Sequence, residues 1–272
     1  MKIILNSLIY LYLFIFGRKI FFKLNLIMFK LIIKSLGYCN YGSFDFTGEK
    51  NFIKKLNKFN PKLCLDIGAN VGIYSDMILS YTKSNVIAYE PNKFSFKILK
   101  NLKSNNKKRF KCFNLAISNK NKIGSLFYSS KTSELASIME NTDKIKFTRG
   151  ANKNKMKIKL SSLDKIYIKN KKLFRELDFI KIDTEGHELE VLQGSKKIIR
   201  DLKPKFIQIE FNTYQLIKNT TLIDYQKYLK NYNAFRLLPF GKKMLPINFY
   251  KPEDNIFHLS NIIFARKDLD IS

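Results

Sequence analysis

Leu63-Cys64-Leu65-Asp66-Ile67-Gly68-Ala69-Asn70-Val71-Gly72-Ile73-Tyr74-Ser75 is the stretch on which the fold turns. Lys62–Ile67 is apolar except at Asp66 and Lys62, which reads as a buried strand. A helical pattern over Val71–Lys83 starts at once. Strand, glycine turn and helix open a Rossmann-like unit. Gly68 permits the tight turn and lets a ligand approach the backbone, with Ala69 and Asn70 beside it. Gly72 is expected to let the helix pack against the strand. The free N–H groups at the helix start favour a negative group such as a carboxylate. Asp66 is expected to accept from an ammonium group of the same ligand. A dinucleotide site would read G-x-G-x-x-G, whereas this turn reads G-A-N-x-G. That points away from a pyrophosphate and toward a nucleoside.

Outward from this unit the pattern repeats. Val86–Glu90 is a short strand ending in Glu90, 22 residues after Gly68, where an acid can accept from both ribose hydroxyls. Pro91 ends the strand, and Asn92 can cap a helix over Asn92–Lys103. Phe110–Ile117 reads as the next strand and Ile123–Tyr128 as an extra one, while polar Ser129–Lys155 has no assignment. Met156–Leu160 looks extended, Phe179–Asp183 is a strand and Glu188–Leu202 a helix. Lys205–Phe211 is a strand, Leu222–Asn231 a helix, and Ala234–Leu238 and His258–Ala265 are the last strands. The alternation predicts an α/β fold with a mostly parallel, doubly wound sheet.

Four of these strands end in acids, at Asp66, Glu90, Asp183 and Glu210. In open α/β sheets that edge lines the ligand crevice. An acidic crevice in so basic a chain suits a cationic ligand and a hydroxyl awaiting deprotonation. The candidate proton acceptors are Asp183, Glu185, His187 and Glu210. His187 has a plainer reading as a helix-start residue, and the carboxylates have a second one as ligands of a divalent ion.

Net charge is +28, yet only 7 of the 50 basic residues are Arg, the side chain suited to bidentate phosphate and guanine contacts. The runs Lys97–Lys111 and Lys153–Lys159 make a nucleic-acid partner, including RNA methylation, the second reading rather than the first. Cys39, Cys64 and Cys112 form no CxxC, and with two histidines there is no zinc cluster; a divalent ion on the carboxylates stays the less favoured reading. A reduced, cytoplasmic compartment follows. Ile3–Phe16 is apolar but too short to span a bilayer, and no cleavage site follows it. Lys19, Lys23, Lys30 and Lys34 fall on one stripe of a helix over Lys19–Leu36 whose remaining surface is apolar. Residues 1–36 are therefore expected to lie on a membrane surface, at its inner face, or else to pack on the domain. The organisation expected is a hydrophobic basic extension, 1–45, and a single domain, 46–272.

LDIGANVGIYS, YEPN, NLAIS, LDFIKIDTEGHELEVLQGS and PKFIQIE follow one another over Lys62–Glu210. In content and order they resemble the FkbM family of S-adenosylmethionine-dependent methyltransferases. The resemblance implies a Rossmann-like, seven-stranded methyltransferase sheet, mostly parallel with its last strand antiparallel, preceded here by a helical extension. It implies O-methylation of sugar or polyketide hydroxyls, and a glycan such as a surface-polysaccharide precursor is the expected acceptor. By motif match Asp66, Gly68, Asn70 and Glu90 would bind the cofactor, with Asn114–Ala116 near its adenine. Asp183 and Glu185 would line the reaction centre. His187 stands where the family pattern does not demand histidine.

Overall fold

Leu63–Ile67 (β1) is buried at all five positions, as a strand covered on both faces must be. Its side chains alternate between two cores: Leu63, Leu65 and Ile67 enter one, and Cys64 enters the other. The computed structural model describes residues 2–102, 108–139, 153–241 and 243–271. Residues 103–107 of the Lys97–Lys111 run and 140–152 of the Ser129–Lys155 stretch lie outside the described residues.

The other strands are β2 (Asn85–Tyr89), β3 (Phe110–Phe113), β4 (Ala116–Ile117), β5 (Lys122–Tyr128), β6 (Asn154–Ser161), β7 (Leu177–Ile182), β8 (Phe206–Phe211), β9 (Tyr232–Leu237), β10 (Met244–Pro246) and β11 (Ser260–Arg266). The main sheet has the order β10-β9-β11-β8-β7-β1-β2-β3. The chain winds outward through β2 and β3, then returns to β7 on the other side of β1. The crevice at the carboxyl ends of β1 and β7 is thus the topological switch point, where such sheets bind ligands. β11 is antiparallel to both β8 and β9, and β10 is antiparallel to β9. The sheet therefore has eight strands, one more than expected, the addition being the short edge strand β10.

Two expected elements are split. Phe110–Ile117 divides because Asn114 Nδ2 donates to the carbonyls of Glu90 and Pro91, at 2.8 and 3.0 Å. The chain then leaves the main sheet, and β4 pairs with β6 in a second sheet of order β4-β6-β5. Glu188–Leu202 divides into helices Glu188–Gln193 and Lys196–Leu202. At the break, Gly194 lies so close to the Ser118 carbonyl that a β-carbon there would be 2.0 Å from it. In β6 the basic run resolves into strand alternation. Lys155, Lys157 and Lys159 are exposed, while Ile158 and Leu160 fill a small core with Leu126.

Five helices precede and flank the first strands: α1 (Lys2–Phe16), α2 (Phe22–Ser35), α3 (Glu49–Asn57), α4 (Ile73–Tyr81) and α5 (Lys93–Leu99). Asn92 caps α5, its side chain accepting from the Phe94 N–H at 3.0 Å. Lys19 lies in a 3-10 turn, Lys19–Phe21, so the stripe on α2 comprises Lys23, Lys30 and Lys34 only. Among the described residues no single helix is long and apolar enough to cross a membrane.

Candidate active site

The β1 turn and the β7 turn cross at the switch point. Gly68 has φ +85°, and a β-carbon on it would sit 1.7 Å from the Asp183 carbonyl oxygen. Only glycine lets these two loops touch. Above the crossing opens a cavity of about 490 Å³, within the size range of small-ligand sites. Gly68, Ala69, Asn70, Glu90 and Ala116 line one part, and Asp183, Glu185 and Glu210 another. The segments Asn40–Phe44 and Ser133–Ala136 form further walls. Residues 40–44, assigned by sequence to the extension, thus belong to the site.

Glu90 is buried and fixed through both carboxylate oxygens. Oε2 accepts from the Asn70 N–H at 2.7 Å and Oε1 from the Asn92 N–H at 2.6 Å. Burial pushes its pKa up to about 7, against the pull of those two N–H groups. Asn70 is held with φ +47°, and its side-chain Oδ1 is buried without a protein partner. An unpartnered acceptor lining a cavity, beside a carboxylate with spare lone pairs, fits a hydroxyl-rich ligand.

Three of the eight expected cofactor residues stand behind this wall. Asp66 is fully buried, and its Oδ2 accepts from Ser75 Oγ at 2.6 Å, at the start of α4. The register that pairs Asp66 with Lys181 across β1 and β7 explains its orientation, with Lys181 Nζ 3.9 Å from Oδ1. Gly72 faces α5, since a β-carbon would meet Leu99 and Leu102 at 2.6 Å. The tight contact it permits is with those leucines, not with the strand. Asn114 is spent on the carbonyls of Glu90 and Pro91.

Of the four candidate proton acceptors, three meet. Asp183, Glu185 and Glu210 each offer a carboxylate oxygen, all within 4.8 Å of one another. Burial and the neighbouring Asp183 charge push the Glu185 and Glu210 carboxyls well above the usual range. Such a cluster can share a proton or hold a divalent cation. Glu185 sits with φ +51°, an uncommon conformation held by the Ser137 hydroxyl on its carbonyl at 2.6 Å. His187 does not reach the cavity lining. It is buried, with Nε2 2.9 Å from Ser118 Oγ, and burial lowers its pKa to about 4.

Two residues escaped the sequence reading. Lys181 lies within the buried strand β7 and lines the cavity, its ammonium 2.8 Å from Asp183 Oδ2 and 4.7 Å from the Tyr74 ring centre. Burial alone would lower its pKa, but Asp183, Asp66 and Glu49 together raise it. The signal was a lysine in the otherwise apolar run Phe179-Ile180-Lys181-Ile182, a charge that must be paired if the strand is buried. Glu188 is the second. Its Oε1 accepts from the Thr184 and Gly186 N–H groups at 2.9 and 3.1 Å, and its Oε2 from Gln215 Nε2 at 2.6 Å. It therefore sets the shape of the Asp183–Gly186 turn.

The family described as Methyltransferase FkbM domain matches residues 66–234. No curated protein matches the chain. Among solved structures, it is similar to the O-methyltransferase from Bacillus cereus in complex with SAH, at 12% identity over 80% of each chain, with a TM-score of 0.42. It is also similar to TYW2 from Pyrococcus horikoshii in complex with MeSAdo, at 15% identity over 84% of this chain and 65% of that one, with a TM-score of 0.40. A third is the precorrin-6y C5,15-methyltransferase from Geobacter metallireducens, at 10% identity over 80% of this chain and 88% of that one, with a TM-score of 0.38. These likenesses are distant, and the fold rests on the strand order itself.

Proposed function

This chain belongs to the methyltransferase FkbM family, and on that premise we propose that it transfers a methyl group from S-adenosylmethionine to a hydroxyl of a sugar or glycan, such as a surface-polysaccharide precursor. The observation that carries the reading is the joining of the Gly68–Asn70 turn and the Asp183–Glu185–Glu210 cluster in one cavity.

Bound S-adenosylmethionine would supply an electrophilic methyl group on a sulfonium. Glu90 would accept from the ribose hydroxyls, and Asn70 Oδ1 and the backbone of Gly68 and Ala69 would hold the ligand beside it. Asp66 acts from behind, by holding the start of α4 and Lys181. The acceptor hydroxyl would lie against Asp183, Glu185 and Glu210. As the acceptor oxygen takes up that methyl group, the hydroxyl proton would pass to the carboxylate cluster. Positioning by these fixed groups supplies much of the rate. Lys181, paired with Asp183 at 2.8 Å, partly offsets the rise that burial imposes on Glu185 and Glu210, so that the cluster can give up a proton and take one back.

A divalent ion is not needed in this scheme, because the Lys181 ammonium already balances Asp183. Ser133–Ala136, on the cavity wall, would help to select the acceptor. A cytoplasmic site of action would keep the three free thiols reduced. The test is incubation of the protein with labelled S-adenosylmethionine and a panel of glycans from the source cell, with nucleic acid alongside and a chelator in a parallel set. Label in a glycan hydroxyl, unaffected by the chelator, is expected. Label in RNA alone, or in no acceptor, would overturn the reading.

A further inference from the structure

The N-terminal helices leave their apolar surface uncovered. From Ile4 to Ile15 every large apolar side chain of α1 is exposed, Tyr10 to 75%. On α2 only Ile33 is buried, while Leu24, Ile27, Met28, Leu31 and Ile32 face outward. An apolar helix that is bare on all sides needs an apolar medium around it, since one flat protein partner would cover a single face. Fifteen residues reach only about 22 Å, short of the ~30 Å hydrocarbon core.

The junction pairs its own polar groups. α1 and α2 meet at 92°. Asn25, inside apolar α2, donates from Nδ2 to the Phe16 carbonyl at the end of α1, at 2.8 Å. Its Oδ1 accepts from the Tyr12 hydroxyl, also at 2.8 Å. Phe16 and Phe21 pack with ring centres 5.1 Å apart. In lipid an orphan carbonyl is costly, and here it is satisfied within the corner. Charge is one-sided as well: residues 1–44 contain six Lys or Arg and no acid.

The corner is also held in register with the cavity. Arg236, buried in β9, donates from Nη1 to the Leu36 carbonyl at the end of α2, at 3.0 Å. Its guanidinium lies over the Tyr38 ring, 3.8 Å from the centre. The chain then passes straight into Asn40–Phe44 on the cavity wall, where Tyr41 is 61% exposed.

We propose that α1 and α2 dock on an anionic lipid bilayer without crossing it, and that they seat the Asn40–Phe44 rim of the cavity at the head-group layer. The acceptor is then one that a membrane presents, a saccharide on a lipid carrier; this last clause rests on the methyl-transfer reading, whereas docking does not. The full chain is mixed with phosphatidylcholine vesicles, with or without phosphatidylglycerol, and floated. Association with the anionic vesicles is expected, weakening as salt rises. Lys23→Gln with Lys30→Gln should weaken it about thirtyfold. Ile9→Asp with Leu13→Asp should abolish it while leaving S-adenosylmethionine affinity unchanged. The chain contains no Trp, so Tyr41→Trp reports from the rim alone. Its fluorescence should be quenched by lipids brominated near the head group. Failure to float with either vesicle overturns the docking, and flotation without quenching at position 41 overturns the seating of the rim. Loss of S-adenosylmethionine binding with flotation intact would instead count against the methyl-transfer reading.

Discussion

Gly68 lies against Asp183: the carbonyl oxygen of the acid occupies the space a β-carbon on the glycine would need, 1.7 Å from that atom's position. β1 and β7 are adjacent parallel strands, and each ends one residue before this contact. The turn after β1 and the acidic turn after β7 are thereby packed as one unit.

Gly68→Ala should therefore damage both. The backbone overlap and the positive φ together should cost about 3 kcal/mol or more. A thermal melt should show a drop of several degrees, and calorimetry a loss of S-adenosylmethionine binding. A variant that melts and binds like the wild type would show that the two turns are not coupled.

Lys181 sets the charge of the acidic cluster. Its ammonium lowers the proton affinity of Glu185 and Glu210, partly offsetting burial. In Lys181→Met those carboxyls should hold their protons to higher pH, so the acid limb of the rate profile should move upward. A purely structural role would lower the rate or the Tm without moving that limb. Glu185→Gln and Glu210→Gln should each lower kcat by about 10²–10⁴-fold with little change in cofactor affinity.

His187 is buried and neutral, with its pKa lowered from 6.5 to about 4. Between those values the unfolded chain binds a proton that the folded chain does not, so stability falls as pH falls from 6.5 to 4. The span corresponds to about 3 kcal/mol. Denaturant titrations of His187→Asn across this window should lack that slope relative to the wild type. An identical slope would place the histidine's burial in doubt.

Much of this was legible from local pattern. The run Leu63–Ile67 with its glycine turn, and the acids at the ends of β2, β7 and β8, place the crevice from sequence alone. What pattern could not give was which side of a strand faces the ligand. Asp66 reads as a ligand group, yet it pairs across the sheet with Lys181, and strand partners are long-range facts. Lys181 hid for the same reason. His187 reads as an acid–base residue, but burial against Ser118 withdraws it from the cavity. The split of Phe110–Ile117 needed the Asn114 side chain to reach the end of β2, a contact made 24 residues away.

The most direct measurement is a calorimetric titration of S-adenosylmethionine into the full chain and into Glu90→Ala, repeated across pH 6 to 8. Glu90 can accept through both of its oxygens only when ionised, and burial pushes its pKa up to about 7. The wild type should bind one equivalent, more tightly as pH rises through that value. Glu90→Ala should bind at least about tenfold more weakly and lose the pH dependence. No binding to the wild type, or equal affinity in the variant, would contradict the account.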